Sequence, residues 1–374
     1  MSRSASKEAA PPPESDRRPD APHPRETLNF FGNAATERAL LQAYRENRLP
    51  HAIILGGPEG IGKATLAWRF ARFLIAHPDP CAPAVQSAQT LFVAGEDPAA
   101  RRVSGLAVGD LFLLRRGWND KTKKFFTEIR IDEVRDVIGK VHRSSGTGGW
   151  RIVIVDCADD LNRSSANALL KLIEEPPERA LFLLVAHQPG RILPTIRSRC
   201  RRLMLEPLSS VEVEDAVRAL GAGFVATPEA TLRAAAEAAQ GSVREALRLL
   251  DGEALAFDRM LRGMFERLPQ VDWSAVHALA DRLSGYENEA AFDTFLRMLY
   301  RFLDARVREG ASRGAARIID FAQAWAEVRA GVEETLALNF DKRALVTSIF
   351  ISLERAAQAA SPVLEPRRRE GEPN

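Results

Sequence analysis

Four short runs of the chain are apolar throughout: Ala52-Ile53-Ile54-Leu55, Leu111-Phe112-Leu113-Leu114, Ile152-Val153-Ile154-Val155 and Leu181-Phe182-Leu183-Leu184-Val185. Without polar alternation they predict strands covered on both faces, the pattern of a parallel sheet. The segments between them carry a helical period instead. Val134, Val137, Ile138 and Val141 fall at i, i+3, i+4 and i+7, and so do Ala166, Leu169, Leu170 and Ile173. Pro176-Pro177 should stop the second of these helices. Residues 27–206 are therefore expected to form an α/β domain. After Pro207 the strand signals end. Residues 207–251 are Ala-rich and helical, broken at Gly221, Gly223 and Gly241, and predict a small helical domain. Residues 252–360 form a second helical block, with Phe292, Phe295, Leu296 and Leu299 as one apolar stripe, long enough for an independent bundle.

The two ends read differently. Residues 1–26 hold six prolines among charges, with almost nothing to bury, and predict a disordered arm. Residues 361–374, with Arg367, Arg368 and Arg369, predict a disordered tail. Charge narrows the functional classes: 52 Lys and Arg against 50 Asp and Glu leave a net +2, so any nucleic-acid contact must come from a local patch. Cys81, Cys157 and Cys200 are too few for a disulfide framework and lack the spacing of a zinc knuckle. No metal site is expected. The chain shows no apolar run of membrane-spanning length and no signal-peptide core, which points to the cytoplasm and away from a membrane.

Candidate chemistry begins at Gly57-Pro58-Glu59-Gly60-Ile61-Gly62-Lys63, which follows the first strand and opens a helix. Gly57, Gly60 and Gly62 let backbone N–H groups turn toward phosphate oxygens, and Lys63 can reach the terminal phosphates. A Gly-rich turn without a ligand is the alternative. The pattern then fails at the position after the lysine. A Ser or Thr there would ligate magnesium, but the residue is Ala64; Thr65 lies about 100° further round the helix. Asp156 ends the strand that supplies the second half of such a site, but the residue after it, where a carboxylate would orient water, is Cys157. A thiol carries no charge for that task unless its pKa is strongly lowered. Asp159 and Asp160 are assigned to helix capping and solvent. The strand ending at Val185 is followed by Ala186, which offers no polar contact to a γ-phosphate. Three polar contacts are missing together, so residual nucleotide binding without turnover is expected.

The stretch from Asn162 to Pro177, with its core Ala166-Asn167-Ala168-Leu169-Leu170-Lys171-Leu172-Ile173-Glu174-Glu175-Pro176-Pro177, resembles the signature helix of clamp-loader subunits of bacterial DNA polymerase III, members of the AAA+ class. Leu193-Pro194-Thr195-Ile196-Arg197-Ser198-Arg199-Cys200 is similar to their Ser-Arg-Cys motif, and Gly241-Ser242-Val243-Arg244-Glu245-Ala246-Leu247 to the lid segment carrying a sensor arginine. The resemblance covers about residues 27–251. It implies a RecA-like P-loop domain, a helical lid and, by size and position only, an oligomerising collar over 252–360. ATPase subunits of this family keep the hydroxyl and the acidic pair, and often a four-cysteine zinc module. Their loss points to the family's non-hydrolysing branch without zinc, and Pro22-His23-Pro24-Arg25-Glu26-Thr27 to an alphaproteobacterial type.

The resemblance gives Arg199 a role in a chain that turns over no ATP. A neighbour's arginine approaches the γ-phosphate at AAA+ subunit boundaries, and Arg199 would serve an adjacent ATPase subunit. The alternative is that Arg197, Arg199, Arg201 and Arg202 form a solvated basic edge. Arg244 would sense this subunit's own nucleotide, or pair with Glu245 or solvent. Lys121, Lys123 and Lys124 beside Phe125-Phe126 predict a solvated loop, with a basic-aromatic DNA patch as the alternative. The implied partners are the gamma/tau ATPase subunits and the delta subunit, with the sliding clamp and primer-template DNA met through the complex. The chain would thus belong to a DNA-directed DNA polymerase holoenzyme without polymerising anything. Two other readings compete: an active AAA+ ATPase that tolerates Ala64 and Cys157, and a DNA-binding module using the Arg197–Arg202 edge.

Overall fold

The computed structural model describes residues 13–143, 149–285, 288–313 and 316–360, in two compact units that divide at Asp251 and Gly252. In the first unit all four predicted strands form, at Ala52–Gly56 (β1), Leu111–Leu114 (β2), Arg151–Asp156 (β5) and Ala180–Ala186 (β6). Three short strands were not predicted: the antiparallel pair Trp118–Asn119 (β3) and Lys124–Phe125 (β4), and Arg201–Met204 (β7). The main sheet is parallel in the order β2-β5-β6-β1-β7. β6 lies between β5 and β1, so the two strands that carry Asp156 and the glycine loop are not neighbours. Every residue of β1 and β6 is buried. β7 escaped prediction because it is an edge strand whose Arg201 and Arg202 face solvent, as a protected edge requires.

Alternate residues of the strands feed two cores. Ile53, Leu55, Ile154, Leu183 and Val185 pack with the helices Ala34–Arg45 (α1) and Lys63–Ala76 (α2), where Trp68 and Phe70 are fully buried. The short helices Pro83–Ser87 (α3) and Pro98–Ser104 (α4) cover the same face. Ile54, Val153, Val155, Phe182 and Leu184 pack with Ile131–Arg143 (α5) and Arg163–Glu174 (α6) on the other face. Of the predicted periods, Val134, Val137 and Val141 on α5 and Ala166, Leu169 and Ile173 on α6 are buried, Ile138 and Leu170 are partly so, and α6 ends two residues before Pro176. Pro194–Arg197 (α7) follows. The lid residues fold as Ser210–Arg218 (α8), Ala222–Val225 (α9), Glu229–Ala238 (α10) and Val243–Leu249 (α11), within the same compact unit as the sheet.

The second unit is helical: Ala254–Glu266 (α12), Trp273–Ser284 (α13), Glu289–Arg313 (α14), Ala316–Leu338 (α15) and Lys342–Ala360 (α16). The stripe Phe292, Phe295, Leu296 and Leu299 lies in its core with Leu283, Phe321 and Phe350. Among the described residues no helix is long and apolar enough to cross a membrane.

The expected arm over 1–26 needs correction for residues 13–26. They are ordered against the sheet unit, with His23 fully buried and Arg25 nearly so. Composition misled because the charges neutralise one another: Glu14, Asp16, Arg17, Arg25 and Glu26 form an ion-pair network with Arg115. Residues 1–12 and the expected tail 361–374 lie outside the described residues.

A degenerate phosphate-loop pocket

The loop between β1 and α2 adopts the conformation its glycines permit. Gly57, Gly60 and Gly62 have φ of 137°, 80° and 94°, a region L side chains rarely enter. Gly60 is also a packing requirement: a Cβ there would lie 2.2 Å from Ser242 Oγ and 2.7 Å from Arg244 Cβ. Its carbonyl accepts the Val243 N–H at 2.9 Å, so loop and lid helix are fastened together.

A cavity of about 350 Å³ opens beside this loop. Of the predicted residues, Gly60, Gly62, Lys63, Thr65, Asp156 and Arg244 line it, together with Ala64 and Cys157. Gly57 lies behind, packed on the Leu205 carbonyl, and contributes its own carbonyl to Lys63. Lys63 is turned back on its loop: Nζ donates to Gly57 O at 2.7 Å and to Pro58 O. It is 3% exposed, and burial depresses its pKa to about 8. Asp156 is driven the other way, to about 7, first by burial and then by the neighbouring carboxylate of Asp16, against the pull of Lys63. A nucleotide would thus meet a lysine already satisfied by carbonyls and a carboxyl group that is only about half ionised at neutral pH. The loop shape fits a phosphate; the groups that would hold its magnesium do not.

Cys157 is no nucleophile. Burial and the adjacent Asp159 raise the pKa of its thiol, which donates to Asp159 Oδ2 at 2.6 Å. Asp159 corrects its assignment to capping and solvent, since its carboxylate also accepts the backbone N–H of His187 (2.5 Å) and Gln188 (3.0 Å). It fastens the ends of β5 and β6. The cap of α6 is Asn162, whose Oδ1 accepts the Ser165 N–H at 2.8 Å. Asp160 pairs with Arg116 at 3.2 Å. Ala186 is fully buried and offers the pocket nothing polar.

Arg244 pairs with Glu59 at 3.2 Å, with both side chains about half exposed, while Glu245 is held by Arg248 at 2.9 Å. Sequence reasoning missed Glu59 and His187 as pocket residues. His187 lines the pocket with its pKa lowered, chiefly by burial and then by Lys63, so its ring is neutral. Its place directly after β6 was the available signal.

Arg199 is not among the pocket-lining residues. Its guanidinium donates to Thr195 O at 3.1 Å and pairs with Glu174 Oε1 at 2.9 Å, remaining 44% exposed. It stands at the end of α7, which Pro194 starts, while Cys200 beside it is buried and anchors the turn. Arg201 and Arg202 continue the exposed edge. Lys121, Lys123 and Lys124 lie exposed on the β3–β4 hairpin, whose Trp118 and Phe125 meet edge to face.

A phosphate loop at the end of one parallel strand, an acidic strand end one strand removed and a helical lid tied to the loop define a P-loop protein of the AAA+ class. Residues 32–209 match the family model described as DNA polymerase III, delta subunit. The chain is 38% identical over 150 residues to DNA polymerase III subunit delta' of Pseudomonas aeruginosa, covering 40% of this chain and 41% of that protein. It is 28% identical over 240 residues to the subunit delta' of Escherichia coli, covering 64% and 66%. It is 27% identical over 239 residues to the subunit tau of Bacillus subtilis, covering 63% and 38%. The match spans about two fifths of the length of the P. aeruginosa relative. Over residues 32–209 and the segments aligned with these relatives, the chain is similar to DNA polymerase III delta-prime subunits.

Proposed function

We propose that this chain is a cytoplasmic, non-hydrolysing subunit of the DNA polymerase III clamp loader, presenting Arg199 to the ATP of a neighbouring ATPase subunit. One observation carries the reading. Arg199 is exposed outside the chain's own pocket on a motif that orders it, while the pocket itself lacks the hydroxyl, the acidic partner and the strand-end polar group. A guanidinium beside a γ-phosphate stabilises charge on its equatorial oxygens and is worth about 10³–10⁵ in rate at arginine-finger sites. Glu174 and the Thr195 carbonyl hold the guanidinium in the meantime. Residues 252–360 would join the collar of a ring with the gamma/tau and delta subunits. That ring would place the sliding clamp on primer-template DNA. Within the chain, Gly57, Gly60, Gly62, Lys63, Thr65, Asp156 and Arg244 would form at most a weak nucleotide site that needs no metal and no zinc. The polymerase activity of the holoenzyme would belong to other subunits.

Clamp loading onto primed DNA by the reconstituted loader tests this. Arg199→Ala should abolish most of it while sizing shows an intact assembly; normal loading by the variant would end the proposal. The runner-up, an active ATPase, has the well-formed glycine loop in its favour. It predicts turnover by the isolated chain that Lys63→Ala removes, where our reading predicts none.

A further inference from the structure

Residues 13–26 carry a device that composition concealed. Two anions in this segment are gripped from the loop after β2: Arg115 donates Nη2 to Glu14 at 2.9 Å and Nη1 to Asp16 at 2.6 Å. Arg25 grips Glu14 with both Nη atoms, at 2.9 and 3.0 Å, and His23 Nε2 lies 3.0 Å from Asp16 Oδ2. The same Arg25 and His23 also pin the far end to α2. Arg72, fully buried on α2, donates to the Arg25 carbonyl at 2.7 Å, and His23 packs edge-on against Trp68.

Between the two fastenings, Ser15, Asp16, Arg18, Ala21 and Pro22 form one wall of the phosphate-loop pocket, facing Gly60, Gly62 and Lys63. Asp16 brings a second carboxylate close to Asp156. An arriving polyphosphate without a magnesium ligand at position 64 would meet both. The two fastenings also differ in kind. The Arg72 and Trp68 anchor is buried, whereas the outer clasp is made of ion pairs between Glu14 and Asp16, 15% and 7% exposed, and the more open Arg17 and Arg115, 33% and 22% exposed. Such a clasp is undone by removing charge from its acids, whereas the apolar part of the anchor is not. Pro22 and Pro24, between clasp and anchor, restrict where the segment can bend.

We propose that residues 13–22 are a clasped flap, held by Glu14 and Asp16 on Arg115, that shuts the phosphate-loop pocket against nucleotide and must unclasp to admit one. The proposal concerns the chain's own pocket and does not depend on Arg199. The opposite arrangement, a fixed wall that nucleotide needs, makes the opposite prediction.

The test uses the full chain, fluorescently labelled ADP and trypsin. Glu14→Gln/Asp16→Asn should bind the labelled ADP at least tenfold more tightly than wild type and should be cut faster after Arg17. Equal or weaker binding, binding undetectable in both proteins, or unaccelerated cleavage would each overturn the proposal. A wild-type measurement guards against a misfolded variant. Saturating ADP should speed cleavage after Arg17, because the bound state is the unclasped one; protection by ADP would show the wall reading to be right.

Discussion

Asp156 holds its proton far more tightly than an ordinary aspartate, and its environment has a measurable consequence. Its folded pKa, about 7, lies above its ordinary value of 3.8 because burial and Asp16 oppose ionisation. A group of this kind binds more protons folded than unfolded. Its contribution to stability is complete below pH 4 and is lost as pH rises through 7. Asp156→Asn removes that loss, so the variant should gain on wild type by about 1–3 kcal/mol between pH 4 and pH 8, after allowance for solvent screening. Urea melts at the two pH values read this directly, and equal pH slopes for the two proteins would contradict it. Glu14 and Asp16 behave oppositely. Burial would raise them, but hydrogen bonds from Arg25, Arg17 and Arg115 to Glu14, and from His23 and Arg115 to Asp16, hold both pKa values down. Their contribution is present above about pH 4 and fades in acid, so tryptic nicking-competent flap should accumulate as pH falls below 4, visible by hydrogen exchange. At this scale the sequence was legible where chemistry follows one local motif. Gly57 to Ala64, Asp156, Cys157 and Ala186 all stand where their strands and helices predicted. Glu59, Asp159 and the Asp16–Arg115 pair were not legible, because their meaning comes from partners 28 to 185 residues away.

Local stop and start signals explain the elements well. Ser209 and Glu212 form a reciprocal capping box at the start of α8, with Glu212 N–H donating to Ser209 Oγ at 3.2 Å and Ser209 N–H to Glu212 Oε2 at 2.8 Å. Ser209→Ala should cost about 1 kcal/mol in thermal or urea melts. A deeper junction joins α1 to α2. Glu37 Oε1 accepts Arg69 Nε at 2.6 Å and the Leu91 N–H at 3.0 Å, and both charged side chains are 7% exposed. Glu37→Ala leaves Arg69 buried without its counter-ion and should cost about 3–5 kcal/mol, whereas a cost under 1 kcal/mol would show the pair to be incidental. The four buried strands were readable because apolar runs covered on both faces have no competing polar pattern. β7 and the β3–β4 hairpin were not, since edge strands and two-residue ladders carry charges and turn residues like any loop.

On the scale of the whole molecule we propose a division of labour: a pocket stripped of hydrolytic groups and an arginine displayed for another subunit. Each compact unit has its own apolar core, so the helical unit can be perturbed without touching the pocket's chemistry; Phe295, fully buried there, should cost about 3–5 kcal/mol of that unit's stability as Phe295→Ala. The division of labour itself is best tested by single-turnover ATP hydrolysis in the reconstituted loader, with Arg199→Ala and Arg202→Ala compared side by side and ring assembly checked by sizing. Loss of about 10³-fold or more at one neighbouring site with Arg199→Ala, and a rate near wild type with Arg202→Ala, is the predicted result. An unchanged rate with Arg199→Ala in an intact ring would contradict it and leave Arg199 as part of a solvated basic edge.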